Sequence, residues 1–210
     1  DANRMEDAKD ALAAGGMTAG VAPYVRDPRD IALLLALHRS YVALVERAYE
    51  AVCGAGGFAL SPHTYGPRTM GIPKIDDDIV PQLRRAHEPD AWASWPIRPE
   101  IDLLTKTAEG VRHAPPGMVE SLIDGYAALG LTAVEAQSYT LHPATQTWRW
   151  LVRYPERVLC LEVRRDLLVP EYTPFEEMRA EAASADRVAA PLATSIDAWP
   201  GVRTEKAVDT

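Results

Sequence analysis

Apolar residues recur along this chain with two different periods, and the change from one to the other predicts its layout. From Ile31 they fall at helical spacing, at Leu34, Leu37, Tyr41, Leu44, Val45, Ala48 and Val52. That spacing marks one side of a long helix over about Pro28 to Cys53, with Asp27 as a cap or turn ahead of it. Met118, Leu122, Ile123, Tyr126 and Leu129 repeat the pattern over Gly117–Leu129, closed by Gly130, a residue that ends helices because it takes the left-handed conformation without strain. Shorter helices are expected over Ala8–Ala14, ended by Gly15-Gly16, and near Phe175–Ala190. The strand signals lie between them. A short apolar run from Phe58 follows the glycines Gly54, Gly56 and Gly57, Leu131–Ala136 alternates, and Val158–Val163 is apolar almost throughout, as in a strand covered on both faces. Strands alternating with helices, each strand followed by a polar loop, predict an α/β sandwich with helices on both sides of the sheet.

Composition narrows the partners. With 210 residues, 47% hydrophobic and 25% charged, the chain fills one core. Residues 1–190 are expected to form a single domain and 191–210 a loosely held tail. A net charge of −8 with no Arg/Lys run argues against nucleic acid or an anionic membrane surface and leaves a metal or a small molecule. No apolar stretch reaches membrane-spanning length, and Ile31–Leu37 is short and followed at once by His38 and Arg39. Cys53 and Cys160 lie in apolar contexts without CxxC spacing, which fits two buried thiols in a reducing compartment. Together with the absence of a signal-peptide pattern, this sets a cytoplasmic location as the expectation.

Candidate chemistry concentrates at two strand ends. His63 follows the first strand, flanked by Pro62, Gly66 and Pro67, and the crevice beyond the carboxyl ends of strands is where α/β sheets bind ligands. A histidine delivered there can hold a metal or carry a proton; the plainer reading is a residue that hydrogen-bonds a turn. Glu162 interrupts the apolar run Val158–Val163. Burying an unpaired carboxylate is costly and raises its pKa, so Glu162 needs a partner or a task, the plainer reading being an ion pair with Arg164 or Arg165. Other clusters carry less. Ile75-Asp-Asp-Asp78 lacks the glycine and closing glutamate of a calcium loop and reads as a solvated turn, and His38 as a helix-surface or core-edge residue. The spacing His87-x-x-Asp90 is spoiled as a ligand pair by Pro89, and Trp92, Trp95, Pro96 and Pro99 read as a loop.

Four segments together resemble the N-formylglutamate amidohydrolase family and, more distantly, the zinc carboxypeptidases. They are Asp1-Ala-Asn3-Arg4, His38-Arg-Ser-Tyr41, Pro62-His63-Thr-Tyr65 and Leu161-Glu162-Val-Arg164, in the order and approximate separation of the family's motifs. The resemblance implies a three-layer α/β/α sandwich with a mixed central sheet, as in zinc exopeptidases, and zinc-assisted hydrolysis of an N-acyl, expectedly N-formyl, amino acid. It implies His63 as a zinc ligand, Glu162 as general base, Tyr139 as a hydroxyl over the substrate, and Asn3 and Arg4 as the clamp on its carboxylate. Arg clamps carboxylates well because its planar fork binds both oxygens. Arg68, close after His63, is a further candidate substrate contact by proximity in sequence. The family's other two zinc ligands come from a segment ahead of the Asn-Arg motif, where this sequence has nothing before Asp1. A missing N-terminal part is therefore the expectation, since catalytic zinc takes three protein ligands. A zinc exopeptidase acting on peptide C-termini and a metal-free carboxylate-binding scaffold are the alternatives.

Overall fold

The computed structural model describes residues 21, 25–72, 78–143 and 145–199. The first helix, α1, covers Pro28–Val52, with Pro28 in its first turn and the Asp27 carboxylate accepting from the Arg29 amide at 2.8 Å, as the Asp-Pro sequence predicts. Strand β1 follows at Ala59–Tyr65, then α2 at Ile79–Ala86, α3 at Pro89–Ser94 and β2 at Ile101–Leu103. The second half holds α4 (Met118–Ala128), β3 (Ala133–Glu135), α5 (Gln146–Arg153), β4 (Val158–Arg164), a 3-10 turn at Arg165–Leu167 and α6 (Ala182–Ala198).

The sheet has the order β1-β4-β2-β3 and is mixed: β1 runs parallel to β4, β2 parallel to β3, and β2 antiparallel to β4. Side chains alternate between its faces. One face carries Ile101, Leu103, Leu159, Leu161 and Val163, packed against Met118, Val119, Leu122 and Tyr126 of α4 and Val188 of α6. The other buries Val158 and Cys160 against Val45 and Tyr49 of α1 and Trp150 and Leu151 of α5. Helices therefore cover both sides, and the fold is the expected α/β sandwich. Arg149 and Arg153 of α5 pair with Glu46 and Glu50 of α1 at 2.6–3.2 Å, tying the two helices of this second layer together.

Several elements depart from the sequence expectation. The apolar stripe of α1 is not uniformly buried. Leu33, Leu37 and Leu44 are more than half exposed, and only the second half of the helix meets the core, since a 25-residue helix of ~38 Å outruns a seven-residue strand of ~23 Å. Trp92 lies in α3 rather than in a loop. The expected strand Leu131–Ala136 shrinks to Ala133–Glu135. The last helix starts at Ala182 and continues through Pro191 to Ala198. Pro191 is buried against Gly125 of α4, Leu192 and Ile196 join the core with Trp199, and the Ser195 and Ser121 hydroxyls meet at 2.8 Å. Residues 191–199 are thus core rather than a loose tail, held by apolar burial and one hydroxyl pair. Residues 200–210 and Ala8–Ala14 lie outside the described residues.

The thiols of Cys53 and Cys160 are free and buried. Among the described residues, no helix is long and apolar enough to cross a membrane.

Candidate active site

Three strands bring one chemistry-bearing residue each to a single row. His63 on β1 is the register partner of Glu162 on β4, and Glu162 is the partner of Asp102 on β2. Register partners share a sheet face, so the imidazole and the two carboxylates stand side by side on the α1/α5 side of the sheet, above the Ser61–Cys160 pair. The residues come together because a β-strand delivers every second side chain to the same face. Odd-numbered positions of β1 and even-numbered positions of β4 fall on this one.

Glu162 lies at the centre of the row. Burial raises its pKa, Arg98 and Arg165 pull against that rise, Asp102 adds a smaller push upward, and the net effect is from 4.5 to about 7. Its Oε2 is buried and has no hydrogen-bond partner. The ion pairs that would have made Glu162 a plain structural residue go elsewhere. Arg164 pairs with Asp166 at 2.8 Å and Glu100 at 3.5 Å, while the Arg165 guanidinium donates to the Thr64 hydroxyl and carbonyl at 3.2 and 3.4 Å. His63 is half-buried, its Nε2 lies 3.4 Å from the Ser61 hydroxyl, and burial lowers its pKa.

Asp102 was not visible as a site residue in the sequence. It is fully buried, and its two carboxylate oxygens accept from the Gln137 amide at 3.1 Å and the Ser138 amide at 2.5 Å. The loop carrying Tyr139 is thereby fastened to the centre of the sheet. Ala136, just ahead of it, has φ of +52°, a left-handed backbone that costs a side-chain-bearing residue about 1 kcal/mol or more. Its amide donates to the Leu103 carbonyl at 2.9 Å, so the strained turn is pinned on both sides. The signal that could have found Asp102 is the one that found Glu162: a carboxylate between apolar neighbours, here Ile101 and Leu103.

Tyr139 is 46% exposed, and the Arg98 guanidinium lies 5.4 Å from its ring centre and 4.9 Å from that of Tyr65. Arg98 therefore couples the Tyr139 loop to the row while acting on Glu162 electrostatically. Arg68 Nη1 donates to the Trp95 carbonyl at 2.6 Å and the Ala93 carbonyl at 3.4 Å, tying the segment after β1 to α3. His87 and Asp90 do not form a ligand pair: His87 stacks on Trp92 and packs on Phe175, with Nδ1–H donating to the Leu83 carbonyl at 2.8 Å. Asn3, Arg4 and the 75–77 part of the acidic cluster lie outside the described residues. Among the described residues, no three His, Cys, Asp or Glu side chains are grouped to hold a metal ion.

No family model matches the chain, and no curated protein does. Among solved structures it is similar to the N-formylglutamate amidohydrolase from Ralstonia eutropha JMP134, at 18% identity and a TM-score of 0.44 over 79% of this chain. The chain spans about half the length of that protein, 51%.

Proposed function

We propose that this chain is a hydrolase of N-acyl amino acids in which Glu162 takes the proton of the attacking water. The observation that carries the reading is Glu162 itself, a half-buried carboxyl at the centre of a sheet row, with a partnerless oxygen and a pKa of about 7. A carboxylate with that pKa gains a proton readily from water and can return it to a leaving nitrogen near neutral pH. Its neighbours suit the remaining tasks. Tyr139 is the proposed hydroxyl over the substrate, and the Asp102 anchor fixes the loop that carries it. Asn3 and Arg4 are the proposed clamp for the substrate carboxylate, and the formyl group is the proposed acyl group.

Zinc belongs to this proposal through the family resemblance, with His63 as the ligand this chain offers. The described residues do not complete a zinc site around it, since catalytic zinc takes three protein ligands and no such group exists among them. Elemental analysis of protein purified without chelator tests the metal: about one zinc per chain requires further ligands outside the described residues, and no zinc removes the metal from the proposal.

The assay for the reaction is formate release from N-formyl amino acids, with the Glu162→Gln variant as control. The variant is expected to keep its fold, read by circular dichroism, and to lose about 10²–10⁴ in kcat, the usual worth of acid–base help. Release of C-terminal residues from peptides without formate release would replace the proposal with an exopeptidase. Unchanged turnover in Glu162→Gln would remove the assigned base.

A further inference from the structure

Between α1, β1 and α5, next to the row that holds Glu162, lies a cavity of about 400 Å³. Its position follows from periodicity. Tyr41, Val45 and Tyr49 stand four residues apart on one stripe of α1 and line it from above, while Ser61 and His63 line it from the sheet. His63 is shared with the Glu162 row, so a group seated in the cavity is continuous with a reacting centre at Glu162. The Ser61–Cys160 row lies two residues further down the strands, roughly 6.6 Å at 3.3 Å per residue.

The lining has a consistent chemistry. Its walls are apolar and aromatic: Val45, and Tyr49 stacked on Trp150 with ring centres 4.8 Å apart. Its floor is made of uncharged hydrogen-bonding groups. The Ser61 hydroxyl meets the Thr147 hydroxyl at 3.2 Å, and burial pushes the Tyr49 hydroxyl up to about 12, so it stays protonated. At the α5 side, Gln146 Oε1 and Trp150 Nε1, one an acceptor and one a donor, are buried without hydrogen-bond partners. Gln146 and Trp150 nevertheless line, with other parts of their side chains, a space large enough to hold a ligand group. A formyl group alone leaves most of that space empty. A carboxylate or ammonium placed there meets hydroxyls and a carboxamide, with no Lys, Arg, Asp or Glu among the lining residues and His63 pushed toward its neutral form by burial, and an unpaired charge in such surroundings is costly.

We propose that this cavity receives an uncharged part of the substrate with an apolar body and a hydrogen-bonding tip, of the phenol or carboxamide kind, and discriminates against acidic and basic groups. The word substrate rests on the hydrolase reading above; the pocket itself does not. The ring or methylene body packs on Val45, Tyr49 and Trp150, and the tip exchanges hydrogen bonds with the Ser61–Thr147 floor.

The test measures binding by titration calorimetry to Glu162→Gln protein, which removes turnover from the reading. N-formyl-L-tyrosine, N-formyl-L-glutamine and N-formyl-L-glutamate probe the side-chain source, and N-(4-hydroxyphenylacetyl)glycine probes the acyl source. The uncharged compounds of at least one source are expected to bind about tenfold or more tighter than N-formyl-L-glutamate, the scale on which a pocket discriminates. Val45→Trp, which fills the cavity, is expected to erase that preference. Thr147→Val, nearly isosteric, keeps the test open should Val45→Trp fail to fold, and is expected to weaken the phenol and carboxamide compounds while leaving N-formyl-L-glutamate unchanged. Equal or tighter binding of N-formyl-L-glutamate, or an unchanged preference in Thr147→Val, overturns the pocket. The two readings fail separately. Preference without product from any compound in the wild-type protein sinks the hydrolase and leaves the pocket standing, whereas formate released fastest from N-formyl-L-glutamate does the reverse.

Discussion

Glu162 illustrates how one residue's surroundings set both chemistry and cost. Its carboxyl is raised to about 7 chiefly by burial, so it is a competent base only above that pH. The rate is therefore expected to climb with pH to a plateau, with the acid limb of kcat/KM centred near 7; a limb near 4.5 would show a solvated carboxylate instead. The stability sign is opposite. A group whose folded pKa is raised contributes stability that is fully present below its unfolded value of 4.5 and lost as pH rises through about 7. Glu162→Gln is accordingly expected to be more stable than the parent at pH 8, by about 1–2 kcal/mol after discounting for partial exposure, and similar at pH 4. Denaturant unfolding at both pH values checks this. Asp102 acts on the same residue at one remove: it is among the groups that raise Glu162, and it holds the Gln137 and Ser138 amides. Asp102→Asn is expected to move the acid limb downward and to lower kcat, because the charge is gone and one oxygen becomes an NH₂ that cannot accept from an amide. A lowered kcat with an unmoved limb would assign Asp102 to loop anchoring alone.

At the scale of elements, the contact between α4 and α6 is set by a glycine facing a proline. A Cβ built on Gly125 would stand 3.0 Å from the Pro191 Cβ, closer than comfortable packing allows, so Gly125→Ala is expected to push the helices apart and cost about 1–3 kcal/mol. A melting temperature unchanged in that variant would show that the pair adjusts freely. The same contact explains what sequence reading reached and what it did not. The helix over Pro28–Val52 was legible because period and the Asp27 cap agree, and that over Met118–Ala128 because period and the closing Gly130 agree. Pro191 reads locally as a stop, since it has no amide to donate and its ring crowds the preceding turn. What carries the helix past it is packing on α4 some 66 residues earlier in the chain, which no local pattern contains. Helix α5 escaped for a different reason: its eight residues mix Trp148 and Trp150 with two arginines, and its cap is Thr145 accepting from the Trp148 amide at 3.3 Å.

At the scale of the molecule, His63, Asp102 and Glu162 become neighbours only through the crossover order β1-β4-β2-β3. Two of the three were legible because each stood out within its own strand. Asp102 did not, because three-residue β2 is too short to show a period. The β3 edge of the sheet carries a charge cluster whose protonation is expected to weaken the fold in acid. The Glu135 carboxylate at the end of β3 accepts from the Thr105 hydroxyl at 2.5 Å and pairs with Lys106 at 2.5 Å and Arg112 at 2.7 Å, and Arg112 reaches on to Glu120 of α4 at 2.7 Å. Burial raises the Glu135 pKa, but the hydrogen bonds from Arg112, Lys106 and Thr105 outweigh it and bring it to about 2. A depressed carboxylate contributes stability that is present above its unfolded value of 4.5 and lost as pH falls toward 2. Unfolding free energy is thus expected to drop as pH falls from about 5 to 3. Glu135→Gln is expected to cost about 1–3 kcal/mol at pH 7, the usual worth of hydrogen bonds to a charged group, and to flatten that drop. Because the cluster joins β2, β3 and α4 through the loop between them, while the row with Glu162 depends on β2 keeping its register against β4, the two ends are coupled through one short strand. In Glu135→Gln the Glu162 acid limb is therefore expected to stay near 7 as long as the protein is folded, and activity to fall with the folded fraction. A limb that shifts while the fold is intact would mean that the cluster also shapes the site.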